Sequence, residues 1–130
     1  MVSFQSMRSF FVACVLGCIA AAGWAAETPF NLAAFEAALA QGKPVIVDFA
    51  ADWCPTCKAQ KPVVQSLLGE AKREPVTLFL ANFDTETALK KRLGVTMQST
   101  FVVFKAGKEV GRSTGQTRRE SIAELFDKAL

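Results

Sequence analysis

The chain has 130 residues, 51% of them hydrophobic, and a formal net charge of +3. That is the size of one small domain with enough apolar residue for a packed core, which argues against disorder and against several domains. There is no histidine and no tyrosine. Imidazole acid–base chemistry, Cys–His catalysis and His-ligated metals are therefore excluded, and proton handling near neutral pH falls to a shifted carboxylate, a cysteine, a lysine or the amino terminus. Lys90, Lys91 and Arg92 follow Asp84 and Glu86, so no basic stripe marks a nucleic-acid face and no nucleic-acid partner is expected.

The first 25 residues read as an export signal. Arg8 is the only charge before Glu27; an apolar stretch runs from Phe10 to about Ala22, and Gly23-Trp24-Ala25 supplies the small residues of a cleavage site. The apolar run is short for a membrane span, which takes about 20 residues. The expectation is a signal peptide over 1–25, a domain over 26–130, and a periplasmic or otherwise exported location. Two alternatives stay open, an uncleaved membrane anchor and a lipoprotein signal in which Val15-Leu16-Gly17-Cys18 presents Cys18 for lipidation. Membrane association is expected only under one of these. Cys14 and Cys18 fall in this segment, so the domain keeps two cysteines, Cys54 and Cys57.

The domain shows no repeats and no linker. Asn31 suits the N-cap of a helix carrying Leu32, Phe35 and Leu39, which Gly42 ends. Pro44 to Ala50 is a nearly continuous apolar run, the pattern of a strand buried on both faces. A long helix is predicted from about Cys54 to Arg73, with Val64, Leu67, Leu68 and Ala71 facing the core and Pro62 kinking it. Val76 to Phe83 reads as a second buried strand, and Thr85 to Leu93 as a short helix closed by Gly94. Thr100 to Lys105 and Glu109 to Arg112 form a hairpin through Ala106-Gly107-Lys108. Thr117 and Glu120 are spaced as a capping box for a last helix with Ile122, Leu125, Phe126 and Ala129 on its stripe. The order αβαβαββα predicts an α/β fold, a mixed sheet with helices on both sides.

The chemistry lies where the first buried strand turns into the long helix, in VIVDFAADWCPTCK at 45–58. Cys54 falls at the helix N-terminus, where free backbone N–H groups and the dipole favour a thiolate, the attacking species in disulfide exchange. Pro55 suits the first helical position. Cys57 follows three residues later on the same face, within disulfide reach. Cys54 is therefore expected outward as nucleophile and Cys57 inward as resolving thiol. A CxxC pair is also half a zinc site, but zinc needs four ligands and the domain has no other cysteine or histidine. A purely structural disulfide closing so short a loop would restrain the unfolded chain little. No metal or other cofactor is expected. Asp48, a carboxylate inside an apolar strand, should have a raised pKa and be able to take a proton from Cys57.

Residues 44–130 resemble the thioredoxin family, most specifically at VDFxAxWCxxCK (47–58), at GVTMQSTFVVFKAGKEVG (94–111) and in the last helix. The resemblance implies a thioredoxin fold and an activity of reducing or exchanging protein disulfides. It implies that Asp48 is the buried aspartate beneath the resolving cysteine, that Trp53 covers the site, and that Lys58 is the lysine following it; between the cysteines, Pro55-Thr56 stands where thioredoxin has Gly-Pro. It also exposes departures. Ser99, after Gln98, stands where the family has a cis-proline facing the cysteines, and the Gln98–Ser99 bond is expected to be trans, since a cis bond there costs about 2.5–4 kcal/mol. The Ser99 hydroxyl is then free to donate to a thiolate, or the site to admit an intermolecular metal or iron–sulfur cluster. Leu80 stands where the family has a lysine beside the aspartate, which should enclose Asp48 further and raise its pKa. The reading is an exported thiol–disulfide reductase fed by a membrane electron donor of the DsbD or CcdA type. Alternatives are a disulfide oxidase or isomerase, and a thiol-based metal or cluster module.

Overall fold

The computed structural model describes residues 25–130; residues 1–24 of the leader, with Arg8, Cys14 and Cys18, lie outside the described residues. Five strands form one mixed sheet: β1 (Ala26–Pro29), β2 (Val45–Ala50), β3 (Thr77–Asn82), β4 (Thr100–Lys105) and β5 (Lys108–Thr114). Their spatial order is β1-β3-β2-β4-β5, with β1 and β2 parallel to β3, and β4 antiparallel to both β2 and β5. Four helices, α1 (Leu32–Ala40), α2 (Pro55–Leu68), α3 (Thr87–Leu93) and α4 (Arg119–Asp127), cover the sheet. None of the described helices is long and apolar enough to cross a membrane.

β2 is the central strand, and the strict alternation of its side chains sorts the molecule into two cores. Ile46 faces α2 and α4 together with Leu78, Phe101, Leu67, Ile122 and Phe126. Val45, Val47 and Phe49 face α1 and α3 with Phe35, Phe79, Leu89 and Phe104. Phe35 is the aromatic hub of the second core: its ring centroid lies 5.8 Å from Phe79 and 5.6 Å from Phe104, both edge-on.

The predicted elements are present, with four differences. β1 was not anticipated: Ala26–Pro29 has no apolar run of its own and is a strand because β3 offers an open parallel edge. The long helix stops at Leu68, and a 3-10 turn at Ala71–Arg73 follows. Gly69, with its poor helix propensity, is the C-cap. The break turns Arg73 into the interior, where its guanidinium pairs with Glu70 and, at 2.8 Å, with Asp127 of α4. Pro62 lies inside helix α2, as its place in the predicted helix requires. Helix α3 starts two residues late because Asn82 organises a turn, its side chain accepting from the Asp84 amide at 2.9 Å. Finally, the capping box does not form. Gln116 Oε1 accepts from the amides of Thr117 and Arg118 at 3.1 and 3.0 Å, and Arg118 is the N-cap. The β4–β5 hairpin closes through Ala106 and Gly107, both at positive φ (51° and 77°), the geometry of a type I′ turn.

Candidate active site

The end of β2 delivers the site. Its side chains alternate so that Asp48, like Ile46, faces α2, and the chain then turns through Ala51–Trp53 into the helix, with Cys54 N donating to Ala51 O at 3.1 Å. Cys54 is the N-cap of α2: its backbone is extended (φ −86°, ψ 110°), its Sγ accepts from the amide of Cys57 at 3.1 Å, and Pro55 follows as the first helical residue. A sulfur in that position is the acceptor for a free helix amide, which favours its thiolate form. Cys54 and Cys57 are joined as a disulfide with Cα atoms 5.3 Å apart.

The expected orientation is corrected in one respect. Cys54 does not point outward: it is 1% exposed, against 8% for Cys57. Both sulfurs sit in a small apolar cluster with Ala51, flanked by Ala50 and Phe83. The two cysteines differ instead in what they face. Cys57, not Cys54, lines a cavity of about 360 Å³, and Asp48 lines it too. Asp48 is 8% exposed, and its Oδ1 has no hydrogen-bond partner. Burial, with the charge of Glu27 adding to it, pushes its pKa from 3.8 up to about 7. Leu80, its cross-strand neighbour on β3, lines the same cavity and brings no cation.

The remaining predicted residues are placed as follows. Trp53 is 56% exposed, and its indole N–H donates to Asp84 Oδ2 at 2.9 Å. Lys58 is exposed at the cavity wall; Pro55 is exposed and Thr56 half-buried. Gln98 is half-buried and Ser99 buried. The peptide bond before Ser99 is trans, and Ser99 takes a positive φ of 55°. Its hydroxyl is not offered to a cysteine: it donates to the Gln98 carbonyl at 2.6 Å.

Three residues escaped the sequence reading. Gln60, one turn after Cys57, is fully buried; its Nε2 donates to Gln116 O at 2.8 Å and to Ser99 O at 3.3 Å, tying α2 to the segments after β5 and before β4. Its signal was present, a polar residue on the stripe Cys57, Gln60, Val64, Leu67. Asp84, partner of Trp53, gave no local signal. Glu27 stands out in the sequence only as the first charge after Arg8.

The model of the family described as Thioredoxin matches residues 27–128. The chain belongs to the thioredoxin family. A thioredoxin of Chlamydia muridarum is 37% identical over 84 residues, 65% of this chain and 80% of the relative. A thioredoxin of Alicyclobacillus acidocaldarius is 33% identical over 94 residues, 72% of this chain and 89% of the relative. The crystal structure of Trxlp from Edwardsiella tarda EIB202 superposes with a TM-score of 0.76 at 37% identity, covering 78% of this chain and 98% of that one. The sheet and helices are the thioredoxin fold. With the Cys54–Cys57 pair, this thioredoxin-family chain is a thiol–disulfide oxidoreductase whose substrate class is protein disulfides.

Proposed function

We propose that the chain is an exported reductase of protein disulfides, with Cys54 as nucleophile, Cys57 as resolving thiol and Asp48 as the proton acceptor for Cys57. The observation that carries this reading is the cavity that Cys57 shares with the buried, unpartnered carboxyl of Asp48. In the reduced protein the Cys54 thiolate attacks one sulfur of the substrate disulfide, forming a mixed disulfide and releasing the other sulfur as a thiolate. Cys57 passes its proton to Asp48, and its sulfur attacks Cys54. The Cys54–Cys57 bond forms, the mixed disulfide breaks, and the second substrate thiolate leaves. Two electrons pass from the dithiol to the substrate. The nucleophilic role of Cys54 rests on its N-cap position, since exposure does not distinguish it.

Export rests on the leader pattern with cleavage after Ala25; retention of the leader or lipidation of Cys18 would add membrane attachment. An oxidising compartment cannot regenerate the dithiol unaided, so the partner proposed is a membrane dithiol carrier of the DsbD or CcdA type. Ser99 is proposed to occupy the place of the family's cis-proline, and its trans bond and positive φ imply a substrate groove of different outline. The deciding measurement is the reduction potential of the Cys54–Cys57 couple in metal-free protein. A value near −270 mV is expected, and one near −120 mV makes the chain an oxidase instead. Export is checked by fusing residues 1–30 to a phosphatase that folds only where disulfides form. An inactive fusion rejects the exported location.

A further inference from the structure

We propose that Gln60 is a positioning residue for disulfide exchange: its buried amide holds residues 97–99 beside the Cys54–Cys57 pair in the backbone conformation that admits a protein disulfide. The inference rests on the reading of Cys54 as the attacking thiol and deepens it by naming what shapes the approach to that thiol.

The strand register sets the place. β4 pairs with β2 as far as Phe49 opposite Thr100, so residues 97–99 leave the sheet where β2 runs out into the turn that leads to Cys54. Gln60 lies one turn beyond Cys57 on the same face of α2. Its bond to Ser99 O therefore draws residues 97–99 against the start of that helix, where both cysteines stand. Met97 on this segment and Trp53 before Cys54 are both more than half exposed, so apolar groups of both segments border the approach to the buried sulfurs.

Ser99 shows why the segment needs holding. Among the described residues other than glycine, Ser99 and Ala106 have a positive φ. Ala106 belongs to the β4–β5 turn, which calls for that geometry. No such turn asks it of Ser99, and a conformation of this kind persists only where its surroundings over-determine it. Here Ser99 O accepts from Gly115 N at 2.9 Å and from Gln60 Nε2 at 3.3 Å, while Met97 O accepts from Thr100 Oγ1 at 2.8 Å. Of these donors, Gln60 is the one that comes from the helix carrying the cysteines, so it ties the place of the segment to that of the sulfurs. Gln60 is 1% exposed and is anchored through the same Nε2 to Gln116 O at 2.8 Å. Its Oε1 is buried without a partner. A hydrocarbon side chain would avoid that cost, so what the amide contributes is its pair of donor bonds. Without them residue 99 returns to an ordinary φ. The bias against a left-handed residue other than glycine is about tenfold, so about one-tenth of the molecules keep the competent form and apparent substrate affinity falls by that fraction.

The test uses the full chain as wild type, Gln60→Met, Gln60→Leu, and Gln60→Met combined with Ser99→Gly, each checked for folding by urea. The reduced proteins are mixed with excess insulin, and single-turnover oxidation gives a half-saturating insulin concentration and a limiting rate. Gln60→Met and Gln60→Leu, which remove the donors in two different shapes, should both raise the half-saturating concentration about tenfold and change the limiting rate less than about twofold. Glycine takes positive φ about as readily as negative, so adding Ser99→Gly should bring the half-saturating concentration back to within about threefold of wild type. It should not restore the stability lost with the amide, whereas a purely structural amide would lower stability and leave half-saturation where it was. Unmoved half-saturation in both amide-free variants, or a rise that glycine does not recover, overturns the role of Gln60 while the Cys54 reading stands. Insulin reduction that survives in Cys54→Ser overturns that reading itself, and the inference with it.

Discussion

Asp48→Asn removes a buried charge while keeping the side chain's shape, and its effect on stability follows from the site. Burial first, and the Glu27 charge second, raise the Asp48 pKa from 3.8 to about 7. The unfolded chain keeps the ordinary value, so the gap is about 3 pH units, and at about 1.4 kcal/mol each the ionised folded state carries a penalty of about 4 kcal/mol. Because the folded state binds the proton more tightly, the penalty has a definite window. Below about pH 4 both states are protonated and Asp48 contributes nothing. Between about pH 4 and 7 the unfolded chain is ionised and the folded one is not, so stability falls by up to about 1.4 kcal/mol per pH unit. Above about pH 7 the full penalty stands. Asparagine has no such titration. Urea unfolding of the oxidised proteins should therefore find Asp48→Asn more stable than wild type near pH 8 by about 3–4 kcal/mol, with the margin closing towards pH 4. A margin that stays constant with pH would show packing rather than charge at work and refute the reasoning. The same variant should resolve mixed disulfides more slowly at neutral pH, gaining stability as it loses rate.

Three other substitutions probe the site and its support. Cys54→Ser should abolish insulin-disulfide reduction, and Cys57→Ser should accumulate a mixed disulfide visible by mass spectrometry; normal turnover in either would remove the assigned roles. Phe35→Ala, emptying the centre of the aromatic cluster, should cost about 3–5 kcal/mol in urea unfolding, and a loss below about 1 kcal/mol would mean the core collapses to fill the space. Gln60→Glu is nearly isosteric but turns a carboxylate towards the carbonyls of Ser99 and Gln116. It should cost about 3 kcal/mol at neutral pH and less near pH 4, where the protonated acid can donate; a cost under about 0.5 kcal/mol at both would show that the amide is not needed.

Much of this molecule is legible in local pattern. The apolar run 45–50 announces a strand buried on both faces, because no side of it would tolerate water. Cys54 at a strand-to-helix turn, followed by proline, announces an N-cap, since both residue types suit a helix start that lacks amide partners. What local pattern left out concerns groups brought together across distance. Ala26–Pro29 is a strand only because β3 has an open edge, so Glu27 joined the Asp48 cavity without any signal of its own. The Ser99 hydroxyl, free in the sequence, is taken by its neighbour's carbonyl, and its backbone is held by Gly115 and Gln60. Cys54 was expected outward from its helix position, but exposure depends on what packs over a residue, and here the turn and Phe83 close around both sulfurs. The order of elements, the pair of thiols and the buried acid can all be read from the chain alone, because each depends on spacing and polarity along it. That Cys54 is as enclosed as Cys57, and that Glu27 of an edge strand shares the cavity with the acid, depend instead on packing, strand order and register, which no local pattern carries.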